Sequence, residues 1–371
     1  MFLKRLYIHN YKSFYHTEIE LDKLNIFVGE NNVGKSNLID VLEFYDLVSK
    51  KTLIDAIKEK GGFEKIFNYH HKDSDVVIEV ELEKDNIITK VRYRVQQNLK
   101  SILSVIVYDK KTMTVIQAGG QRNNKEKNKI IDFRWNNKDI DINTKIRFSY
   151  NAFDITHILN GNLSNIYYFN AQTIRESHKN SEDTILLKDG SNLGKILYDL
   201  KINNPIKFET ISNSLMGIVK EIEGIDVQKI YGNYPIGFIE KGKDEPISIN
   251  QVSDGTINLI ATITAINQNT DKKLLAFEEP ERHLHLKAID YLLDAFRNSD
   301  KQIIITTHST EMLKCANLDE IIFLYRDSDG DTQAIRADKI EGLKDKLKNL
   351  AYERDLTLDE LISDGIIGDF E

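Results

Sequence analysis

The stretch "FVGENNVGKSNLID", residues 27–40, carries Gly29, four intervening residues, and then Gly34-Lys35-Ser36. That spacing is the one a nucleotide phosphate loop requires. Leu24 to Val28, just before it, is a short apolar run of strand type. From Asn37 onward, Leu38, Ile39, Leu42 and Leu47 recur at helical intervals. Gly29 and Gly34 are expected to adopt backbone angles that other residues resist. The amides from Glu30, Asn31, Asn32 and Val33 to Asn37 could then curl around a phosphate at the positive end of the helix. Lys35 would reach the β- and γ-phosphates, and the Ser36 hydroxyl would ligate Mg²⁺. The plainer alternative is a glycine-rich turn with an exposed lysine. The strand before and the helix after argue against it, so the chain is expected to bind a nucleoside triphosphate.

The 371 residues, 41% of them hydrophobic, suffice for a large core in one elaborate domain or two lobes. No apolar run is long enough to span a bilayer, and "MFLKRLYIHNYKSF" at the N-terminus lacks a signal-peptide core. The lone Cys315 forms no internal disulfide, which suits a reducing cytoplasm. A net charge of −8 argues against a chain coated in positive charge for nucleic acid, although a local groove could still be basic.

"LKRLYIHNYKSF" and "HTEIELDKLNIFVG" read as strands leading to the loop. Between residues 76 and 117, "VVIEVELE", "ITKVRYRV", "SILSVIVYD" and "TMTVIQAG" alternate between short polar breaks, the pattern of an antiparallel meander. Residues 121–147 hold eight Lys/Arg against four acids, a surplus of four positive charges that suits either a solvated loop or a nucleic-acid contact. "NIYYFNAQ" (165–172) predicts a strand, "NLGKILYDLK" and "FETISNSLMGIVKEI" predict helices, and two or three strands follow. "LLAF" and "IIIT" are continuous apolar runs, as in a parallel sheet covered on both faces.

Four further stretches narrow the chemistry. In "LLAFEEPE" (274–281), a strand delivers Glu278 to the place where a carboxylate meets Mg²⁺. Glu279 follows as a candidate general base for the attacking water, and Pro280 forces a turn. In "QVSDGTINL" (251–259), Ser253 and Asp254 stand at the mouth of a helix. The Ser253 hydroxyl and the amides of Gly255 and Thr256 can face an oxyanion there, although Ser-Asp-Gly is also an ordinary helix cap. In "IIITTHST" (303–310), His308 ends a buried strand within reach of a γ-phosphate or its attacking water. In "YIHNYKSF" (7–14), Lys12 is a candidate contact for phosphate or adenine.

Taken in order, these stretches resemble an ABC-type ATPase head of the SMC, RecF and OLD group, and the compact anti-phage defence ATPases within it. Gly29 to Ser36 is similar to that group's Walker A motif, Ser253 to Thr256 to a degenerate signature motif, Glu278-Glu279 to Walker B and His308 to the switch histidine. "EPERHLH", with Glu281 and His285, resembles the segment that crosses the dimer interface. Glu278 stands where the larger family usually has Asp. Gln172 is the best candidate for the Mg²⁺-sensing glutamine, and Arg175 beside it for a phosphate contact.

The resemblance implies an α/β fold: a mixed, mainly parallel core sheet behind the phosphate loop, an antiparallel β subdomain and a helical subdomain. It divides the chain into N-terminal strands with Walker A and first helices (1–75), the β meander (76–150), a helical subdomain with return strands (151–250), the signature, Walker B and switch-histidine lobe (251–337) and an acidic tail (338–371). It also implies ATP and Mg²⁺ as ligands and a head-to-head homodimer whose ATP lies between the loop of one copy and Ser253 of the other.

Three roles stay open: a cytoplasmic ATPase gating a separate effector in antiviral defence, a RecF-like clamp on duplex DNA, and a nuclease of OLD type. Roughly forty residues after the last strand are too few for a nuclease domain. The acids of "RDSDGDT" (326–332) read more simply as a hairpin turn, and the histidine pairs at 70–71 and 283–285 lack companion zinc ligands.

Overall fold

The computed structural model describes residues 2–51, 53–71, 74–96, 101–109, 115–122, 134–135, 138–139, 164–177 and 182–343. Strands β1 (Phe2–His9), β2 (Thr17–Glu20) and β3 (Leu24–Val28) lead into helices α1 (Lys35–Lys50) and α2 (Leu53–Glu59). The meander follows as β4 (Val76–Lys84), β5 (Ile87–Val95), β6 (Ser101–Asp109) and β7 (Val115–Arg122), then the short pair β8 (Arg134–Trp135) and β9 (Lys138–Asp139). After β10 (Ser164–Tyr167) come α3 (Ala171–Glu176), α4 (Leu193–Asn203) and α5 (Pro205–Ile218), and the return strands β11 (Ile222–Val227), β12 (Ile236–Glu240) and β13 (Ile247–Ser248). Helix α6 (Asp254–Asn267), β14 (Leu274–Glu278), α7 (Leu286–Asn298), β15 (Gln302–Thr307), α8 (Thr310–Cys315), β16 (Ile321–Arg326) and β17 (Thr332–Arg336) complete the described chain.

Period-2 alternation builds the first sheet, ordered β2-β1-β4-β5-β6-β7 with every neighbouring pair antiparallel. Val76, Ile78, Val80 and Leu82 face inward along β4. In β1 the buried positions run Leu3, then Leu6 and Ile8, and a register shift between Leu3 and Arg5 accounts for the change of phase. The N-terminal strands thus share a sheet with the meander.

The second sheet runs β10-β14-β15-β3-β16-β17, parallel throughout except for the last strand. Its central strands are buried on both faces, which explains their unbroken apolar sequence. Leu24, Ile26, Val28, Leu275, Phe277, Ile303 and Ile305 join the core shared with α4 to α7. Phe27, Leu274, Ala276 and Ile304 join the opposite core, shared with α1 and the antiparallel sheet. The mixed, parallel-rich sheet and antiparallel subdomain match the fold class expected above.

One element departs from expectation. The strand over 165–172 stops at Tyr167, because the Asn170 side chain accepts a hydrogen bond from the Thr173 amide at 3.1 Å and caps α3. Gln172 and Arg175 therefore sit on a helix. The hairpin over "RDSDGDT" forms as expected, with Asp327 Oδ1 accepting from the Asp331 amide at 2.8 Å. The segment from 123 to 147 lies outside the described residues save its four strand positions, and residues 344–371 of the acidic tail lie outside them as well. Among the described residues no helix is long and apolar enough to cross a membrane.

Close approach fixes one glycine of the helical lobe. A Cβ on Gly194 would sit 2.1 Å from the Tyr234 carbonyl oxygen. Gly194→Ala should therefore destabilise the protein by roughly 1–3 kcal/mol, read as a lower midpoint in denaturant unfolding with an unchanged slope.

Candidate nucleotide site

The site grows from three parallel strands that end in step. Thr306 pairs with Phe27 on one side and Glu278 on the other, so the C-terminal ends of β3, β14 and β15 open on one cleft. The cleft, of about 340 Å³, is lined by Asn31, Asn32, Gly34, Lys35, Ser36, Asn37, Glu278, Glu279 and Thr306. It sits outside the carboxyl ends of the parallel strands, where open α/β sheets bind ligands.

The two loop glycines are required for different reasons. Gly34 has φ +120°, and a Cβ there would meet Thr332 Oγ1 at 2.7 Å and Ser13 Oγ at 2.8 Å. Gly29 is not among the residues with positive φ, against the expectation of special backbone angles at both. Its constraint is space, since a Cβ would lie 2.6 Å from the Leu324 carbonyl. Three side chains remote in sequence brace the loop. Thr332 Oγ1 donates to the Val33 carbonyl at 2.6 Å, Arg326 donates to the Asn32 carbonyl at 2.7 Å, and Asn37 donates to Ser13 Oγ at 2.8 Å. Val33 is buried beneath the loop.

Lys35 donates to the Gly29 and Glu30 carbonyls at 2.6 and 2.7 Å. Burial lowers its pKa, opposed by Glu279, Glu278 and Glu30. Ser36 Oγ donates to Glu278 Oε1 at 2.9 Å. A hydroxyl and a carboxylate converging beside a phosphate cleft form an oxygen-only donor set, which fits Mg²⁺ completed by phosphate oxygens and water. Such an ion would supply charge neutralisation for the transferred phosphoryl group.

Glu279 holds φ +47°, an unfavourable backbone for a non-glycine residue, of a kind that clusters at functional sites. Its amide donates to the Thr306 carbonyl at 2.9 Å, and its Oε1 lies 2.8 Å from His308 Nδ1. The carboxylate thus lines the cleft with one oxygen bonded to the imidazole, placed to take a proton from a water.

Other expected residues lie elsewhere. The Lys12 ammonium is bound to Asp40 at 2.6 Å and lies outside the cleft lining, because Asp40 on α1 offers a nearer carboxylate. Gln172 donates to Glu176 one turn along its own helix and is not among the residues lining the cleft. Arg175 contacts no phosphate loop residue. It clamps the segment before α6, pairing with Asp254 at 2.6 Å and donating to the Val252 carbonyl at 2.9 Å. Ser253 caps α6, its Oγ accepting from the Thr256 amide at 3.2 Å. Gly255 backs onto the loop after Glu279, where a Cβ would lie 2.3 Å from the His283 carbonyl. In "EPERHLH", Glu281 is buried and His285 caps α7 by accepting from the Ala288 amide at 3.2 Å. Among the described residues no three His, Cys, Asp or Glu converge on a metal position.

The family described as "AAA domain, putative AbiEii toxin, Type IV TA system" matches residues 24–314, which spans both cleft halves. The chain belongs to this family. It is 30% identical over 104 residues to the DNA replication and repair protein RecF of Flavobacterium johnsoniae, covering 28% of this chain and 26% of that one. It is 31% identical over 99 residues to Endonuclease GajA of Bacillus cereus, covering 27% of this chain and 15% of GajA. The matches thus span about a quarter or less of these relatives. In three dimensions it is similar to a Pyrococcus furiosus Smc head domain with an extended coiled coil, solved bound to the C-terminal domain of ScpA. The TM-score there is 0.54 at 16% identity, covering 95% of this chain and 99% of that one, a likeness of fold. Together these relations make the chain an ABC-type ATPase of the SMC/RecF/OLD group.

Two substitutions probe the loop. Lys35→Ala should abolish nucleotide binding in isothermal titration, and unchanged affinity would contradict the phosphate-loop assignment. Thr332→Val strands the buried Val33 carbonyl and should lower stability by about 1–3 kcal/mol, read in denaturant unfolding, and weaken nucleotide binding with it.

Proposed function

We propose that the protein is an ATP-binding and ATP-hydrolysing switch that dimerises head to head and controls a separate effector in a bacterial anti-phage defence or toxin-like system. One observation carries the dimer: Ser253 and Asp254 are exposed at the mouth of α6, outside the lining of the chain's own phosphate cleft. A second copy, turned face to face, brings that mouth to the triphosphate. ATP then acts as interface glue, pinned by the loop of one copy and by Ser253, Asp254, Gly255 and Thr256 of the other.

Within each copy the residues divide the work. The loop amides and Lys35 hold the phosphates, Ser36 and Glu278 would hold Mg²⁺, and Glu279 takes the proton of the attacking water. His308, bonded to Glu279, orients that carboxylate and faces the developing charge. Shifting a dimer from mostly open to mostly closed takes about 5.5 kcal/mol of differential binding, and charge-assisted contacts at two sites can contribute on that scale.

The family description, which names a toxin system, and the local likeness to GajA favour the defence role. The likeness to RecF favours a second reading, an ATPase clamp on duplex DNA, with the basic segment 121–147 as its contact. Salt-dependent DNA binding in the presence of ATP would favour the clamp.

Glu279→Gln should keep ATP binding, stop turnover and accumulate an ATP-dependent dimer in light scattering coupled to gel filtration. Hydrolysis by that variant at the wild-type rate would remove Glu279 from the role of base, and a monomer at saturating ATP would remove the shared site.

A further inference from the structure

Glu281, two residues beyond the proposed base, is buried at 5% exposure. One carboxyl oxygen accepts the Thr307 hydroxyl proton, while Oε2 is buried with no partner. The Thr307 hydroxyl is itself an acceptor for the Ser309 amide at 2.8 Å, so it links Glu281 to that amide. Ser309 follows His308, whose imidazole is the partner of Glu279. A continuous set of bonds therefore runs from Glu281 through Thr307 to the backbone that carries His308.

An ionised carboxylate demands several donors, and one left with an unpaired buried oxygen is costly. A neutral acid in the same place loses far less. The charged groups facing Glu281 are Glu279 and His308. A second negative charge there would repel the Glu279 carboxylate and pull on the imidazole that partners it. Glu281 belongs to the same loop as the two working acids, yet its environment is opposite to theirs: Glu278 and Glu279 line the cleft and Glu281 does not.

We infer that Glu281 serves this reaction as a positioning residue in its neutral, protonated form, holding His308 against Glu279 through Thr307 and the Ser309 amide. The inference rests on the ATPase reading above, in which Glu279 is the base. Losing the Glu281 proton turns a brace into a competing charge and misaligns the pair. The geometry agrees with the electrostatics, since burial pushes this carboxyl up from its ordinary 4.5 to about 7. For stability the sign follows from proton counting. The folded state keeps its proton up to about pH 7 while the unfolded chain releases it near 4.5, so stability falls across that interval and is level above it.

The test compares wild type, Glu279→Gln and Glu281→Gln in steady-state ATP hydrolysis with Mg²⁺ from pH 6 to 9, alongside thermal melting from pH 5 to 8. Gln copies the neutral acid and cannot ionise. Wild-type kcat should decline on the alkaline side, and the ratio of Glu281→Gln to wild-type kcat should rise by about threefold or more between the two ends. The melting temperature of Glu281→Gln relative to wild type should also rise with pH. Profiles that superimpose would overturn the inference. So would a Glu281→Gln protein that is unfolded, or as inert as Glu279→Gln at every pH while still binding ATP. Failure of the underlying reading looks different: wild type would then show no hydrolysis sensitive to Glu279→Gln at any pH.

Discussion

Everything at the cleft depends on three parallel strands ending level with one another. Thr306 sits between Phe27 and Glu278 in the pairing, which sets the carboxylate of Glu278 beside Ser36 across 242 positions of sequence. Parallel strands cannot be joined by tight turns and need long crossovers. Strands β4 to β7, the helical lobe and α6 all lie between β3 and β14, and α7 returns the chain from β14 to β15. A one-residue slip of β14 would turn Glu278 to the other face of the sheet and separate its carboxylate from the Ser36 hydroxyl.

The parts of the site readable in the sequence are those whose chemistry is local. A glycine-spaced loop between strand and helix, or two acids and a proline at a strand end, carry their geometry in a few neighbouring residues. The meander and the buried strands were legible because period-2 alternation and unbroken apolar runs reflect one or two covered faces. What escaped was contributed from a distance. Nothing near Val33 announces Thr332, and nothing near Asp254 announces Arg175. Lys12, placed by the sequence between strands as a candidate contact for phosphate or adenine, has its ammonium paired with Asp40. Gln172, the candidate Mg²⁺-sensing glutamine, has a partner on its own helix in Glu176.

The loop from Glu278 to His285 combines opposite demands within eight residues. Glu279 is held with a left-handed backbone that aims its carboxylate at the cleft, and His283 shares that unusual conformation. Glu281 is buried, with one carboxyl oxygen left without a partner. Strained backbone of this kind persists only where neighbours over-determine it, and here they do: the Glu279 amide is fixed by Thr306, the Glu281 carbonyl by the Leu284 amide at 2.9 Å, and the end by the cap of α7.

Gly255 presses against the back of this same loop, with no room for even a methyl group between it and the His283 carbonyl. Arg175 ties the neighbouring residues to α3, which continues from the edge strand beside β14. A push on the α6 entrance from outside thus has nowhere to dissipate. In the dimer proposed above, a shift of that entrance would press on the peptide units next to the proposed base.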